Sequence, residues 1–171
     1  VHAWPFVAIH AVLTPGGNVL TYGSDQNGRR TAKFFYDVWE PTRGLTASAH
    51  TTLSNTTGTD IFCSAQLLLP NGDVFITGGD QYNPSTGQTD EHGNAEATQF
   101  SYVTNTLTKG PAGMHRKRWY ASVTTLPNGE HYIQGGRGIS VDDPLGGHAQ
   151  PELRKADGSF RLLDLLTAGL A

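Results

Sequence analysis

The apolar and polar positions of the chain recur in three similar segments. In each segment an apolar or β-branched run leads into a turn, and a second apolar run follows the turn. The three turns are Thr14-Pro15-Gly16-Gly17, Leu69-Pro70-Asn71-Gly72 and Leu126-Pro127-Asn128-Gly129, with their prolines 55 and 57 residues apart. Asn-Gly between two apolar runs is a strong signal for a β-hairpin with a type I′ turn. The pattern therefore predicts three hairpins arranged as a repeat.

The runs around these turns predict the individual strands. Strands are expected before the turns at 6–13, 64–69 and 120–126, after them at 19–22, 74–77 and 131–134, and further along at 33–39 and 98–104. Four short strands in a unit of about 50 residues are typical of a kelch-type propeller blade. A helical period is suggested only over 160–166, so a low helix content is expected.

The predicted fold is therefore all-β, a kelch-type β-propeller of about three blades. The approximate blades are 1–58, 59–115 and 116–171. Propellers close with roughly four to eight blades, because an open ring leaves sheet edges in water. We therefore expect the chain to be part of a larger ring, completed by further blades or by another chain.

Two polar segments interrupt the repeat, at 80–97 and 138–151. They are too polar for core strands, and we expect them to project from one face of the propeller. Asn55-Thr56-Thr57 is a glycosylation sequon that matters only if the chain is secreted by a eukaryote.

The composition excludes several classes of protein. Charged residues make up 16% of the 171, glycine contributes 21 residues, and the formal net charge is −3, so no basic field favours nucleic acid. The most apolar stretch, 162–171, contains Asp164 and is much shorter than the roughly 20 residues of a membrane span. A single cysteine, Cys63, excludes an intramolecular disulfide and a zinc site built from several cysteines.

Several polar groups are weaker candidates for function. The basic run His115-Arg116-Lys117-Arg118 is more typical of a solvated turn than of a polyanion site. His10 lies in an inner-strand pattern and is expected to be a hydrogen-bonded core histidine, since the seven histidines show no metal-ligand spacing. Asp90-Glu91 and Asp142-Asp143 lie in loops where solvation is expected more than calcium binding.

Cys63 and Tyr120 occupy the same position in successive repeats. Each precedes the proline of its turn, Pro70 or Pro127, by seven residues. Because the first strand of a blade lies nearest the propeller axis, the two side chains are expected to be spatial neighbours. The spacing leaves two interpretations open: a buried free cysteine beside an aromatic ring, or a reactive pair.

The residues around this pair resemble a known family. Asp60-Ile61-Phe62-Cys63-Ser64-Ala65 with the hairpin ending in Gly78-Gly79, then Arg118-Trp119-Tyr120-Ala121 with the hairpin ending in Gly135-Gly136, is similar to the galactose oxidase and glyoxal oxidase family. The likeness runs colinearly from about residue 6 to residue 136. The arginine-tryptophan-tyrosine form is closer to glyoxal oxidases. These proteins are copper radical oxidases on a seven-bladed kelch-type propeller.

The resemblance implies a thioether between the sulfur of Cys63 and the ring carbon ortho to the hydroxyl of Tyr120. It further implies that the Tyr120 oxygen is a copper ligand and that the modified ring holds a stable radical. Oxidising a primary alcohol or a hydrated aldehyde removes two electrons, whereas copper takes one, so the ring supplies the second. Nitrogen and oxygen donors in a tetragonal arrangement suit Cu(II), and the protein orients the substrate and tunes the metal.

This chain departs from the family pattern in two respects. The family's other copper ligands, a tyrosine-histidine pair and a later histidine, have no match here, and His131-Tyr132 has the reverse order. Arg137 and Gly138 stand where galactose oxidase has a tryptophan that stacks on the thioether. The shielding of the radical and the preferred substrate are therefore left open, with Trp119 as one candidate for the shielding ring.

Two functions follow from the sequence. The first is part of a copper radical oxidase that acts on primary alcohols or small aldehydes and reduces O₂ to H₂O₂, with a secreted or cell-surface location. The second is a non-catalytic kelch propeller that binds a partner or a glycan through its loops, with Cys63 and Tyr120 merely packed together. Fold alone does not distinguish them.

Overall fold

The protein is a row of three four-stranded antiparallel sheets. A computed structural model describes residues 2–83, 85–86, 88–138 and 150–163, with the backbone alone at 88–91. The strands are β1 (Val7–Leu13), β2 (Val19–Ser24), β3 (Phe35–Trp39), β4 (His50–Ser54), β5 (Ala65–Leu68), β6 (Val74–Thr77), β7 (Asp80–Asn83), β8 (Gln88–Gly93), β9 (Ala97–Ser101), β10 (Thr106–Lys109), β11 (Trp119–Thr125), β12 (His131–Arg137), β13 (Glu152–Arg154) and β14 (Phe160–Leu162).

Each sheet is a meander whose strands follow one another in chain order. The strand orders are β1-β2-β3-β4, β5-β6-β9-β10 and β11-β12-β13-β14, and β7 and β8 form a separate hairpin. Helix among the described residues is limited to two 3₁₀ turns, Pro41–Arg43 and Ala47–Ala49, and no helix there is long and apolar enough to cross a bilayer. The predicted all-β, partial-propeller fold is confirmed, while the bounds of the three blades stay a prediction.

The hairpin turns differ from the predicted type I′ geometry. In each turn only the last glycine has a positive φ: 83° at Gly17, 88° at Gly72 and 81° at Gly129. The amide of Gly72 bonds the carbonyl of Leu69 at 2.9 Å, and the amide of Leu69 bonds the carbonyl of Asp73 at 2.8 Å. This is a type I turn followed by a left-handed glycine, and it suits a loop whose proline fixes φ at a negative value.

The polar insertion and the late apolar run also differ from expectation. Residues 80–93 contain the β7–β8 hairpin, and Asp80 at its start is fully buried. The reason is an ion pair with Arg30, described below, which compensates the buried carboxylate. Residues 160–162 form the edge strand β14 rather than the start of a helix. Residues 164–166 of that run, with Asp142-Asp143 and most of the second insertion, lie outside the described residues.

Two apolar clusters lie on opposite faces of the second sheet. Val74 and Ile76 of β6 belong to the cluster shared with the first sheet, whereas Phe75 belongs to the cluster shared with the third. Side chains alternate between the faces of a strand, so β6 is buried on both sides and carries no polar face. The second sheet is therefore held between its two neighbours, as in stacked propeller blades.

The sequon asparagine is a structural residue. Asn55 is only 8% exposed, and its side-chain amide donates to the carbonyls of Ala32 at 2.8 Å and Thr59 at 2.9 Å. Its Oδ1 accepts from the amide of Thr57 at 3.1 Å. An attached glycan would remove one of these amide hydrogens and would have to enter the packed loop, so the fold disfavours modification at this asparagine.

Candidate active site at the Cys63 and Tyr120 pair

Cys63 and Tyr120 share an unusual backbone conformation. Their φ angles are 57° and 62°, and the other non-glycine residue with a positive φ among those described is Asn105. Asparagine tolerates this left-handed region, whereas cysteine and tyrosine adopt it at a cost on the order of 1–3 kcal/mol each. Such strain is concentrated at functional sites. Two strained residues at equivalent positions of neighbouring sheets therefore mark a candidate site.

The structure brings the two residues together. The amide of Tyr120 donates to the carbonyl of Cys63 at 3.0 Å, which joins the second and third sheets. The neighbouring Cys63 side chain is the main cause that raises the pKa of the Tyr120 phenol. Cys63 is buried and makes no disulfide, whereas the Tyr120 side chain is 64% exposed. The pair therefore consists of a buried sulfur beside a solvent-accessible phenol.

Opposing influences act on the pKa of the Cys63 thiol. Burial raises the pKa of the Cys63 thiol, while the neighbouring Tyr120 and Trp119 side chains and the positive charge of Arg30 lower it. The Trp119 ring centroid lies 4.6 Å from that of Tyr120, with the rings tilted by 49°. Trp119 thus contacts both members of the pair and covers one side of the phenol.

The first sheet anchors the cysteine. The amide of Cys63 donates to Nε2 of His10 at 3.1 Å, and the His10 ring stacks on Tyr22 at a centroid distance of 4.6 Å. Burial lowers the pKa of His10 to about 4, so the ring is neutral at neutral pH and Nε2 is free to accept. The Tyr22 hydroxyl lies 2.9 Å from the Ser64 hydroxyl. His10 is hydrogen-bonded, as the sequence predicted, but its partner is the backbone of the candidate site.

Asn94 ties the two strained segments to one framework. The side-chain amide of Asn94 donates to the backbone carbonyls of Asp60 at 2.8 Å and Asp80 at 2.7 Å. The backbone carbonyl of Asn94 accepts from the amide of Arg118 at 2.9 Å. Gly79 donates to the carbonyl of Arg118 at 2.9 Å. A Cβ on Gly79 would lie 2.3 Å from the Asp60 oxygen, so this backbone approach requires glycine.

The basic run is not the solvated turn that the sequence suggested. Arg118 is fully buried, bonds Glu152 at 3.1 Å and donates to the carbonyl of Gly135 at 2.7 Å. Arg116 donates to the Gln150 side chain at 2.9 Å, and Lys117 donates to that of Gln81 at 3.0 Å. The correction has a physical reason: Glu152 is itself buried, and its carboxylate compensates the buried charge of Arg118.

Arg137 and Gly138, where the resemblance leads one to look for a stacking tryptophan, have partners of their own. The Arg137 guanidinium carbon lies 5.6 Å from the centroid of Trp119, and the carbonyl of Gly138 accepts the amide of Gly93 at 2.7 Å. Asp90 and Glu91 lie on the backbone of β8, and their side chains are outside the described part of the structure.

Four residues that contact the site were not predicted from the sequence: His10 as the acceptor for Cys63, and Arg30, Asp80 and Asn94. One feature of the sequence could have pointed to Asp80, because it directly follows the double glycine Gly78-Gly79 that closes the hairpin. Arg30 and His10 belong to the first repeat and act across a sheet boundary, so no local spacing indicates them.

Few side chains in the described part of the structure are placed to bind a metal ion. Within the described residues no group of three or more histidine, cysteine, aspartate or glutamate side chains is placed to hold a metal. The exposed Tyr120 phenol is suited to present one oxygen to a metal, with the sulfur of Cys63 beside it. Within the described residues the pair thus offers a single phenol oxygen, which is fewer donors than a complete metal centre needs.

Comparison with known proteins supports the propeller fold and nothing finer. No protein-family profile and no curated protein sequence matches this chain. Its structure is similar to that of a fungal alcohol oxidase of the AA5 family in complex with copper, with a TM-score of 0.54, 14% identity and 89% of this chain covered. It is also similar to YjhT, with a TM-score of 0.61, 11% identity and 95% covered. The chain spans 42% and 52% of those two structures, and at such identity the likeness shows the kelch-propeller fold alone.

Proposed function

We propose that this chain forms part of a secreted copper radical oxidase, similar to glyoxal oxidases, that oxidises primary alcohols or small aldehydes and reduces O₂ to H₂O₂. The observation that carries the proposal is the meeting of Cys63 and Tyr120. Both residues are held at positive φ, the amide of Tyr120 donates to the carbonyl of Cys63, and the Cys63 side chain raises the pKa of the Tyr120 phenol. The fold likeness to an alcohol oxidase that binds copper supports it.

In this proposal each residue has a defined role. The Cys63 sulfur bonds to the ring carbon ortho to the Tyr120 hydroxyl, so that one S–H and one ring C–H bond break and one C–S bond forms. Two electrons and two protons pass to O₂, giving H₂O₂. Sulfur substitution then makes the Tyr120 ring easier to oxidise. Copper, when bound, supplies one-electron redox chemistry beside the Tyr120 oxygen.

The surrounding residues prepare the pair for this chemistry. His10 fixes the backbone of Cys63, and the Asn94 network fixes the segments that lead into both residues. Trp119 lies against the Tyr120 ring and covers part of it from solvent. Rigid positioning of reacting atoms is a large part of rate enhancement. The remaining copper ligands and the substrate pocket would come from blades outside this chain.

Peptide mapping of the full-length polypeptide after exposure to Cu(II) and O₂ tests the proposal. We expect a cross-linked pair of peptides containing Cys63 and Tyr120, with a mass lower by about two hydrogens. Cys63→Ser and Tyr120→Phe should abolish the linkage. The matched control is Tyr132→Phe, which removes a tyrosine of the same sheet whose hydroxyl bonds Gln134. If Cys63 is recovered entirely as a free thiol, the proposal is wrong and the non-catalytic propeller remains.

A further inference from the structure

Arg30 occupies a position that the proposed function does not yet use. It follows β2 on the first sheet, where Ser24 and Arg30 form an isolated bridge. Its guanidinium carbon lies 5.3 Å from the ring centroid of Phe62 and 5.4 Å from that of Trp119. Phe62 directly precedes Cys63, and Trp119 directly precedes Tyr120. One side chain from the first sheet therefore contacts the aromatic neighbour of each reacting residue.

The guanidinium is held firmly in this place. Its Nη1 lies 2.5 Å from Oδ2 of Asp80, whose side chain is fully buried, while the Arg30 side chain is 20% exposed. The backbone amide of Asp80 in turn bonds the carbonyl of Phe62 at 2.9 Å. The ion pair and one of the two rings thus belong to the same rigid segment. Fixed cations over aromatic faces are attractive, the more so when shielded from water.

We propose that Arg30 is a positioning residue that sets the approach of the Cys63 sulfur to the Tyr120 ring and raises the reduction potential of the modified ring. This inference rests on the proposed function, since it concerns how the same linkage forms. The planar guanidinium spans Phe62 and Trp119 and so fixes the spacing between the second and third sheets at the point of reaction.

The charge of Arg30 lies close to the Tyr120 ring. Its guanidinium carbon is 5.4 Å from the centroid of Trp119, and the Trp119 centroid is 4.6 Å from that of Tyr120. The buried carboxylate of Asp80, 2.5 Å from the guanidinium, opposes the field of this cation. Because the guanidinium itself contacts the ring that lies against Tyr120, its positive charge disfavours removal of an electron from the phenol ring, so the potential rises.

Two variants separate geometry from charge. Arg30→Lys keeps the cation but loses the planar surface that contacts both rings. The double variant Arg30→Met with Asp80→Asn removes the charge without leaving Asp80 ionised and unpaired in the interior, which would threaten folding. The matched control is Arg29→Lys, because Arg29 is the adjacent arginine and its side chain is exposed.

The experiment measures the rate of linkage between Cys63 and Tyr120 by mass spectrometry after Cu(II) and O₂ are added to the full-length polypeptide. Near-ultraviolet circular dichroism of the metal-free protein reports the Trp119 environment, and voltammetry reports the potential of the modified ring. We expect both variants to form the linkage roughly tenfold or more slowly than wild type and to alter the Trp119 signal, with Arg29→Lys unchanged. The potential should fall in the double variant and stay near wild type in Arg30→Lys.

The outcomes are distinguishable. If wild type and Arg29→Lys form the linkage and both Arg30 variants form it at the same rate, the positioning role is wrong and the proposed function stands. An unchanged potential in the double variant overturns the electrostatic part. If wild type forms no linkage, the proposed function fails and the role of Arg30 fails with it.

Discussion

Removing the carboxylate of Glu152 should be among the most damaging single changes to this chain. The Glu152 side chain is fully buried and accepts from the amides of His115 at 2.6 Å and Arg116 at 3.0 Å, and from the Arg118 guanidinium at 3.1 Å. Glu152→Ala leaves the guanidinium of Arg118 buried without its carboxylate. Breaking a buried pair in this way costs about 3–5 kcal/mol.

The consequence reaches the candidate site, because Arg118 lies two residues before Tyr120. Its carbonyl accepts the amide of Gly79, and its own amide bonds Asn94. A displaced Arg118 therefore loosens the contacts that hold Tyr120 beside Cys63. We expect Glu152→Ala to slow formation of the Cys63–Tyr120 linkage as well as to lower stability.

The assay is urea denaturation followed by tryptophan fluorescence, with thermal unfolding as a second measurement. A loss of about 3–5 kcal/mol corresponds to a melting temperature lower by roughly 6–20 °C in a chain of this size. The control is Glu40→Ala, since Glu40 is exposed and lies 3.6 Å from exposed Arg43. Exposed pairs of this kind contribute about 0–1 kcal/mol. If both variants lose the same small amount, the buried carboxylate does not stabilise the fold as argued.

Two further predictions concern Asp60 and Gly79. Burial raises the pKa of Asp60 to about 7, so the native carboxyl holds its proton more tightly than the unfolded one, and the contribution of Asp60 to stability should fall between about pH 4 and pH 7 by on the order of 4 kcal/mol. His10, whose pKa burial lowers to about 4, acts in the opposite direction over much of this range, so the test is the difference in the free energy of urea unfolding between wild type and Asp60→Asn. That difference should change across this pH range by the amount given for Asp60, and parallel pH profiles of the two proteins would contradict the assignment. Gly79→Ala, at φ 123° with its Cβ 2.3 Å from the Asp60 oxygen, should destabilise the protein by more than about 2 kcal/mol. Gly17→Ala, at φ 83° with open space around the added Cβ, should lose about 1 kcal/mol, and equal losses in the two variants would refute the clash.

The inner hairpins were predictable because two local signals agree there. Alternating apolar runs define strands such as β6, and the proline-asparagine-glycine sequence places the reversal between β5 and β6. The turn type was mispredicted because Asn-Gly alone suggests type I′, whereas the preceding proline permits only a negative φ at the first central position. The outer strands β10 and β14 have four and three residues and are only partly buried, so they are too short to show an apolar period.

The candidate pair was predictable, but its surroundings were not. Register within the repeat places Cys63 and Tyr120 together, since equivalent positions of neighbouring sheets are adjacent. The contacts from His10, Arg30 and Asn94 depend instead on how separate sheets pack, and each joins residues more than thirty positions apart. The buried state of Arg118 was missed for the same reason, because its carboxylate partner lies on β13.

At Tyr120 the left-handed backbone conformation favours glycine, whereas the residue present carries a large, exposed aromatic side chain. Glycine would adopt φ 62° there without steric strain, and most of the tyrosine surface lies in solvent, so little packing would be lost. By the criterion of folding free energy alone, tyrosine is a poor choice at this position. A screen that ranks substitutions only by thermal stability would therefore tend to favour glycine there, and would discard the phenol on which the proposed oxidase chemistry depends.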